Sequence, residues 1–241
     1  MMKVWIAGTA LGVGLSCFGC AAHQQTAAEL EGALVSLVPA EQGAEWIRSL
    51  RTASPAPRSM VPPTGIVVAW VPPRPVEGVE FQRVSTAARE RWMAAIRERL
   101  GGAGLAARVA VTSPDFFDDG VSLDRVKTAA KQHEADLVVL FTVDVTRRRY
   151  DTFSPGTMGT GEVSRVTNIV EVVSTARAVG VTPAGQPLFS GSKRGSDSEA
   201  GHMRSVDEVE EVANRVAIEE IGDLIASQID RVFYGRTGGA R

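Results

Sequence analysis

Apolar positions recur along this chain in three rhythms. Residues 65–72 (GIVVAWVP) and 136–145 (DLVVLFTVDV) are continuous apolar runs of strand length, rich in β-branched residues. Runs of this kind fit strands buried on both faces. Between them Val84, Ala88, Trp92, Ala95, Ile96 and Leu100 recur at three- and four-residue steps. That spacing predicts an amphipathic helix whose charged face holds Arg89, Glu90, Arg97, Glu98 and Arg99, stopped by Gly101-Gly102. Residues 106–114 (AARVAVTSP) predict a second short strand. Ser122 reads as the N-cap of a helix through Val126, Ala129, Ala130 and His133, with Asp124 in its first turn.

The third rhythm is strict alternation. Residues 163–181 place Val170, Val172, Ser174, Ala176 and Ala178 on one side; TPAGQP turns the chain, and 188–195 (LFSGSKRG) returns it as a hairpin. Residues 151–162 (DTFSPGTMGTGE) read as a loop. Over 205–233, Ser205 and Glu208 have capping-box spacing, and Val209, Val212, Val216, Leu224 and Val232 form one stripe. Acids crowd the start of this helix and Arg231 lies near its end, as the helix dipole favours.

The order strand, helix, strand, helix, strand, strand, strand, helix predicts an α/β domain over residues 65–234, in two or three layers. Its sheet is mixed, parallel in the first half and closed by an antiparallel hairpin, with a long C-terminal helix. Residues 26–38 and 41–51 have weaker helical patterning, and the proline-rich SPAPRSMVPPTG follows. We read 20–64 as a tether with short helices and 235–241 as a flexible tail.

Composition narrows the function. A net charge of −2 gives no nucleic-acid footprint, and an aromatic content of 6% argues against base- or sugar-stacking platforms. Beyond residue 20 no apolar run approaches the roughly 20 residues of a membrane span.

The N-terminus, MMKVWIAGTALGVGLSCFGCAAHQQ, adds an address. Lys3 precedes a short apolar run without charge, the layout of an export signal over 1–19. A signal ending in a small residue and a cysteine resembles those of bacterial lipoproteins, in which the thiol takes a diacylglycerol and becomes the new N-terminus. Cys20 is the preferred attachment point and Cys17 the alternative. Cleavage before Cys20 leaves no free thiol in an oxidising compartment, whereas cleavage before Cys17 leaves one. A plain cleaved signal or an uncleaved anchor are the other readings. Ala21 lacks the aspartate that marks inner-membrane retention in enterobacterial lipoproteins, so the resemblance implies the outer membrane, periplasmic face.

A second resemblance rests on GIVVAWVPP, ADLVVLFTVDV and TARAVGVTPAGQPLFSGSKRG. In pattern and order these segments resemble a group of periplasmic lipoprotein domains: the N-terminal domain of the Tol-system periplasmic protein, the lipoprotein activators of penicillin-binding proteins, and the curli-secretion lipoprotein. The early segment and the central strand opening at Asp136 also resemble the rhombotarget lipoproteins. Many of those carry a C-terminal Gly-Gly and a hydrophobic tail for a rhomboid-type protease; here Gly238-Gly239 is followed by Ala240-Arg241. Neither resemblance brings a catalytic residue.

Candidate chemistry is sparse. His23, His133 and His202 lie far apart, so no metal site is expected, and His133 reads as a helix-end residue. No Gly-x-Ser-x-Gly elbow occurs. Lys193 among the serines of 190–198, Ser190 and Ser198 included, is the one nucleophile-and-base pairing that a hydrolase could use; the bland alternative is a polar loop. SPDFFDDG (113–120) holds three carboxylates but lacks the alternating ligands of a calcium loop. Arg147, Arg148 and Arg149 are the candidate surface contact, toward anionic lipid or cell-wall polymer, or are simply charges that guard a strand end.

The expectation is a non-enzymatic, lipid-anchored envelope module without catalytic residues, metal or cofactor beyond the covalent lipid. Its partners would be the membrane and an envelope protein, and not nucleic acid. The competing expectations are a Ser/Lys hydrolase and a structural subunit that oligomerises through 163–181.

Overall fold

The computed structural model describes residues 25–38, 40–52, 61–73, 84–158, 161–200 and 204–235. In chain order its elements are α1 (Ala27–Leu37), α2 (Ala40–Thr52), β1 (Gly65–Trp70), α3 (Thr86–Gly102), β2 (Arg108–Val111) and α4 (Leu123–Gln132). These are followed by β3 (Leu137–Met158), β4 (Gly161–Val181), β5 (Pro187–Ala200) and α5 (Val206–Tyr234). The five strands form one mixed sheet in the order β2-β1-β3-β4-β5. β1 is parallel to β2 and β3, and β3–β4 and β4–β5 are antiparallel.

Side chains alternate across a strand, so each face of this sheet builds its own core. Ile66, Val68 and Trp70 join Leu137, Val139, Phe141 and Val143 under α3 and α5. Val67, Ala69 and Val71 join Val138, Leu140, Val179 and Val181 on the other face, under α1, α2 and α4. The result is three layers, helix on sheet on helix.

Helix ends follow from local chemistry. Ser205 and Glu208 close a reciprocal capping box, and Gly235 ends α5 with a φ of 63°. Ser122 caps α4, whose C-cap is His133. The turn between β4 and β5 uses Gly185 at a φ of 84°. The Trp46 indole N–H donates to the Gly185 carbonyl at 2.9 Å, locking α2 onto that turn.

Asp136 ties the two central parallel strands together at their starts. Its carboxylate accepts from the Thr64 N–H at 2.8 Å, the Thr64 hydroxyl at 2.5 Å and the Gly65 N–H at 3.3 Å. The Thr64 hydroxyl chiefly, with the backbone N–H groups, holds this carboxyl below its ordinary pKa.

Three boundaries differ from the sequence reading. Residues 151–158 are strand and not loop. Beyond Phe141, β1 no longer pairs with β3, so the rest of β3 is an edge strand, where a proline such as Pro155 is tolerated. β5 likewise continues to Ala200 through its serines, because β4 pairs with it to that point. The third difference concerns the tether. Leu34, Leu37, Val38, Trp46 and Ile47 are all buried in the second core, so packing begins by Gln25 and not near Gly65. The proline-rich stretch therefore joins two packed parts of one body.

α5 lies directly on the sheet at Gly195. A Cβ there would come within 2.1 Å of the Ala213 carbonyl oxygen and 2.6 Å of the Ala217 nitrogen. Gly195→Val is therefore expected to cost about 3 kcal/mol or more in urea unfolding. Gly102→Ala, with nothing within 4 Å of the added carbon, should be neutral to stabilising by up to about 1 kcal/mol. Asp136→Asn is expected to cost on the order of 1 kcal/mol near neutral pH, after discounting for solvent exposure. A carboxyl whose folded pKa is depressed stabilises above its unfolded value, about 3.9, and loses that contribution as pH falls through the folded one. The gap between wild type and variant should therefore close in acid, which urea titrations at several pH values would measure.

Candidate functional site

β1 ends, and its parallel neighbour β3 runs on past it, beneath a groove between α3 and α5. Open α/β sheets place their crevices at the carboxyl ends of such strands. The groove encloses about 520 Å³. Its floor is apolar, made by Ala88 and Trp92 of α3, Val143 and Val145 of β3, and Ile218 of α5. Its rim is charged, with Arg91 on α3, Arg147 on β3, and Asp207, Glu211, Arg215 and Glu219 on α5.

Two interactions shape the groove. The Arg147 guanidinium holds Glu210 at 2.5 Å and lies 3.6 Å from Asp207, which pins the first turns of α5 to β3. Deeper in, the buried Ser174 hydroxyl donates to the Asn214 side-chain oxygen at 2.7 Å. Closer to the strand ends, Trp70 packs against Trp92 and Phe141, and the Arg89 guanidinium lies 5.9 Å from the Trp70 ring centre. Trp70 Nε1, Arg89 Nε, Thr112 Oγ1 and Thr142 Oγ1 are buried without a hydrogen-bond partner. Asp144 lies 3.0 Å from Arg177 without an aligned hydrogen bond. Burial pushes its carboxyl above the ordinary pKa, and Arg177 offsets part of that.

The residues singled out from sequence are scattered by the fold. Lys193 points to the α5 side of β5 and pairs with Glu220 at 3.1 Å. Ser190 is three positions away, an odd number, so it faces the opposite side, where its backbone N–H donates to the Gln25 side chain at 2.8 Å. Ser192, Ser196 and Ser198 share the Ser190 parity. No serine of β5 is placed beside Lys193, and the Ser–Lys dyad is not assembled. β5 being strand also replaces the polar loop offered as the alternative.

The carboxylates of 113–120 diverge: Asp115 faces the Ser113 hydroxyl, Asp118 pairs with Arg89 at 2.8 Å, and Asp119 pairs with Arg125 at 2.6 Å. Phe117 beneath them is fully buried. Among the described residues no group of His, Cys, Asp or Glu could hold a metal ion. His133 stands at its helix end, where Arg108 donates to its carbonyl at 2.6 Å. The arginine triplet is split: Arg147 turns to α5, Arg148 to the opposite face, and Arg149 again to the first. Cys17, Cys20, His23, His202 and Gly238-Gly239 lie outside the described residues. Among the described residues no helix is long and apolar enough to cross a membrane.

The groove leaves no motif in the sequence. Its floor is drawn from three elements whose apolar stripes each looked like ordinary core. The usable signal was Val145, an apolar residue extending the central run beyond the end of its parallel neighbour.

No family model matches the chain, and no curated protein matches it in sequence. Solved structures of bacterial proteins share parts of its outline. A neuraminyllactose-binding hemagglutinin homolog from Helicobacter pylori is 12% identical, with a TM-score of 0.42, over 76% of this chain and 92% of that one. A PelC dodecamer from Paraburkholderia phytofirmans is 15% identical, with a TM-score of 0.36, over 73% and 95%. A minor lipoprotein from Acinetobacter baumannii is 10% identical, with a TM-score of 0.31, over 74% and 96%. Likenesses this distant carry no inference about activity.

The Ser174–Asn214 pair gives a test of the groove wall. Asn214→Leu strands the buried Ser174 hydroxyl and is expected to cost about 1–3 kcal/mol in chemical denaturation. The double variant Ser174→Ala/Asn214→Leu should recover part of that loss, since no hydroxyl is then left unpaired.

Proposed function

We propose that this chain is a lipid-anchored, non-enzymatic binding module of the bacterial cell envelope. It is acylated at Cys20, with Cys17 as the alternative, and sits on the periplasmic face of the outer membrane. The groove between α3 and α5 receives a segment of an envelope protein. Its occupant carries apolar side chains for the Trp92–Val143–Ile218 floor, flanked by cations that meet Glu211 and Glu219 on the α5 wall.

The observation that carries the reading is the character of that groove. It has an apolar floor and a charged rim, which suits recognition of a partner segment. The address rests on the lipoprotein-type signal, in which both cysteines of the chain precede residue 21.

Two experiments test this. Cys20→Ala is expected to abolish acyl labelling and move the protein out of the membrane fraction; unchanged labelling and fractionation would overturn the anchor. A photo-crosslinking residue at Arg91, on the groove rim, is expected to capture an envelope protein in cells. The same residue at Lys131, exposed on α4 in the opposite layer, should not. Equal capture at both positions would remove the groove as the docking site.

A further inference from the structure

We propose that the open face of the outer sheet, opposite α5, is a membrane-contacting surface that binds phospholipid headgroups of the leaflet holding the anchor. The inference rests on the acylation of Cys20 proposed above.

The geometry starts at Gln25. Its side-chain amide accepts from the Ser190 N–H at 2.8 Å and donates to the Ser190 carbonyl at 2.9 Å. It thereby occupies the free edge of β5 as a neighbouring strand would. α1 then lies over β5, and α2 follows it to the β4–β5 turn, where Trp46 docks on Gly185. The chain thus enters the body at the level of Ser190 and runs toward the turn. The sheet on the other side of Ser190, toward Ser192 and beyond, is left uncovered by α1.

Cys20 is five residues from Gln25, and a fully extended chain spans at most about 3.3–3.6 Å per residue, or roughly 17 Å here. Along β5, Ser192 and Arg194 lie two and four residues past Ser190, roughly 7 and 13 Å at strand rise. An anchor on Cys20 therefore holds this part of the sheet at the bilayer surface. The proline-rich stretch adds no reach, because both of its ends are packed into the body.

The chemistry of the face agrees with that placement. Arg177 lies opposite Ser192, and Thr175 lies opposite Arg194, which makes the two arginines diagonal neighbours. Arg148 projects from the same face farther out, opposite Glu171, which pairs in turn with Ser198. The carboxylates on this face are Asp144, facing Arg177, and Glu171. Arg148, Arg177 and Arg194 are all exposed, as are the hydroxyl-bearing Ser192, Ser196 and Ser198. Tyr150, 45% exposed, ends the same face of β3, and tyrosine favours headgroup depth. Guanidiniums bind phosphate in a forked geometry, hydroxyls supply further donors, and the attraction grows with anionic lipid.

The test uses the acylated protein reconstituted into vesicles of phosphatidylethanolamine and phosphatidylglycerol carrying a headgroup nitroxide. A fluorophore is placed on Ser196→Cys or, as reference, on Glu98→Cys of α3 in the opposite layer. Quenching at Ser196→Cys should exceed that at Glu98→Cys by about threefold or more, and should weaken in phosphatidylcholine vesicles and at high salt. Arg177→Gln/Arg194→Gln should remove about half of the excess. Equal quenching at the two sites overturns the contact. Excess quenching that is insensitive to the double variant and to lipid charge overturns headgroup binding by these arginines. Mass spectrometry of the same sample separates the two readings. Acyl mass on Cys20 with equal quenching defeats the face alone, whereas absence of acyl mass defeats the anchor and the proposal with it.

Discussion

β3 is the strand on which the rest of the molecule depends, because it spans 22 residues and its side chains alternate between the two faces of the sheet from Leu137 to Tyr150. From Leu137 to Val143 every side chain is buried, so the strand feeds two cores at once. β1 flanks it there on one side and β4 on the other. Past Phe141 β1 has ended, yet the alternation continues. One parity then supplies the floor of the groove, Val143 and Val145, and the clasp Arg147–Glu210. The other parity supplies Asp144, Arg148 and Tyr150 to an open face. A one-residue slip of this strand would exchange the two sets, which is why the register must be firmly set. Asp136 at its start, which accepts from the Thr64 and Gly65 N–H groups, ties that register to β1.

The same period of two explains what could be read from sequence and what could not. The buried runs at residues 65–72 and 136–145, the hairpin turn at Gly185 and the capping box Ser205–Glu208 are local signals, and the fold contains them all. The mixed sheet and its parallel first half follow from their order. Where tertiary pairing overrode composition, the reading fell short. Ser, Gly and Pro at 151–158 and 196–200 resemble loop residues, yet pairing with β4 holds both stretches as strand. The weak helical pattern of α1 and α2 concealed that Leu34 and Trp46 fill a core.

Candidate sites proved harder to read than elements, for a related reason. Lys193 and Ser190 are near in sequence but on opposite faces of one strand. Arg147, Arg148 and Arg149 are consecutive, so Arg148 faces away from the other two and the three do not form one patch. The groove and the arginine face arise from residues far apart in sequence, brought together by strand register and by α5 crossing at Gly195. Neither grouping leaves a motif.

Packing from Gln25 onward also changes what an anchor on Cys20 would mean. A 45-residue flexible spacer, 20–64, would hold the domain at a typical distance of about 35–40 Å. Five residues hold it within roughly 17 Å. Neutron reflectometry of the acylated protein on a supported bilayer tests this most directly. The account predicts protein density that begins within about 20 Å of the headgroups, with no hydrated gap between them. A water-filled layer of about 35 Å between bilayer and protein would contradict it.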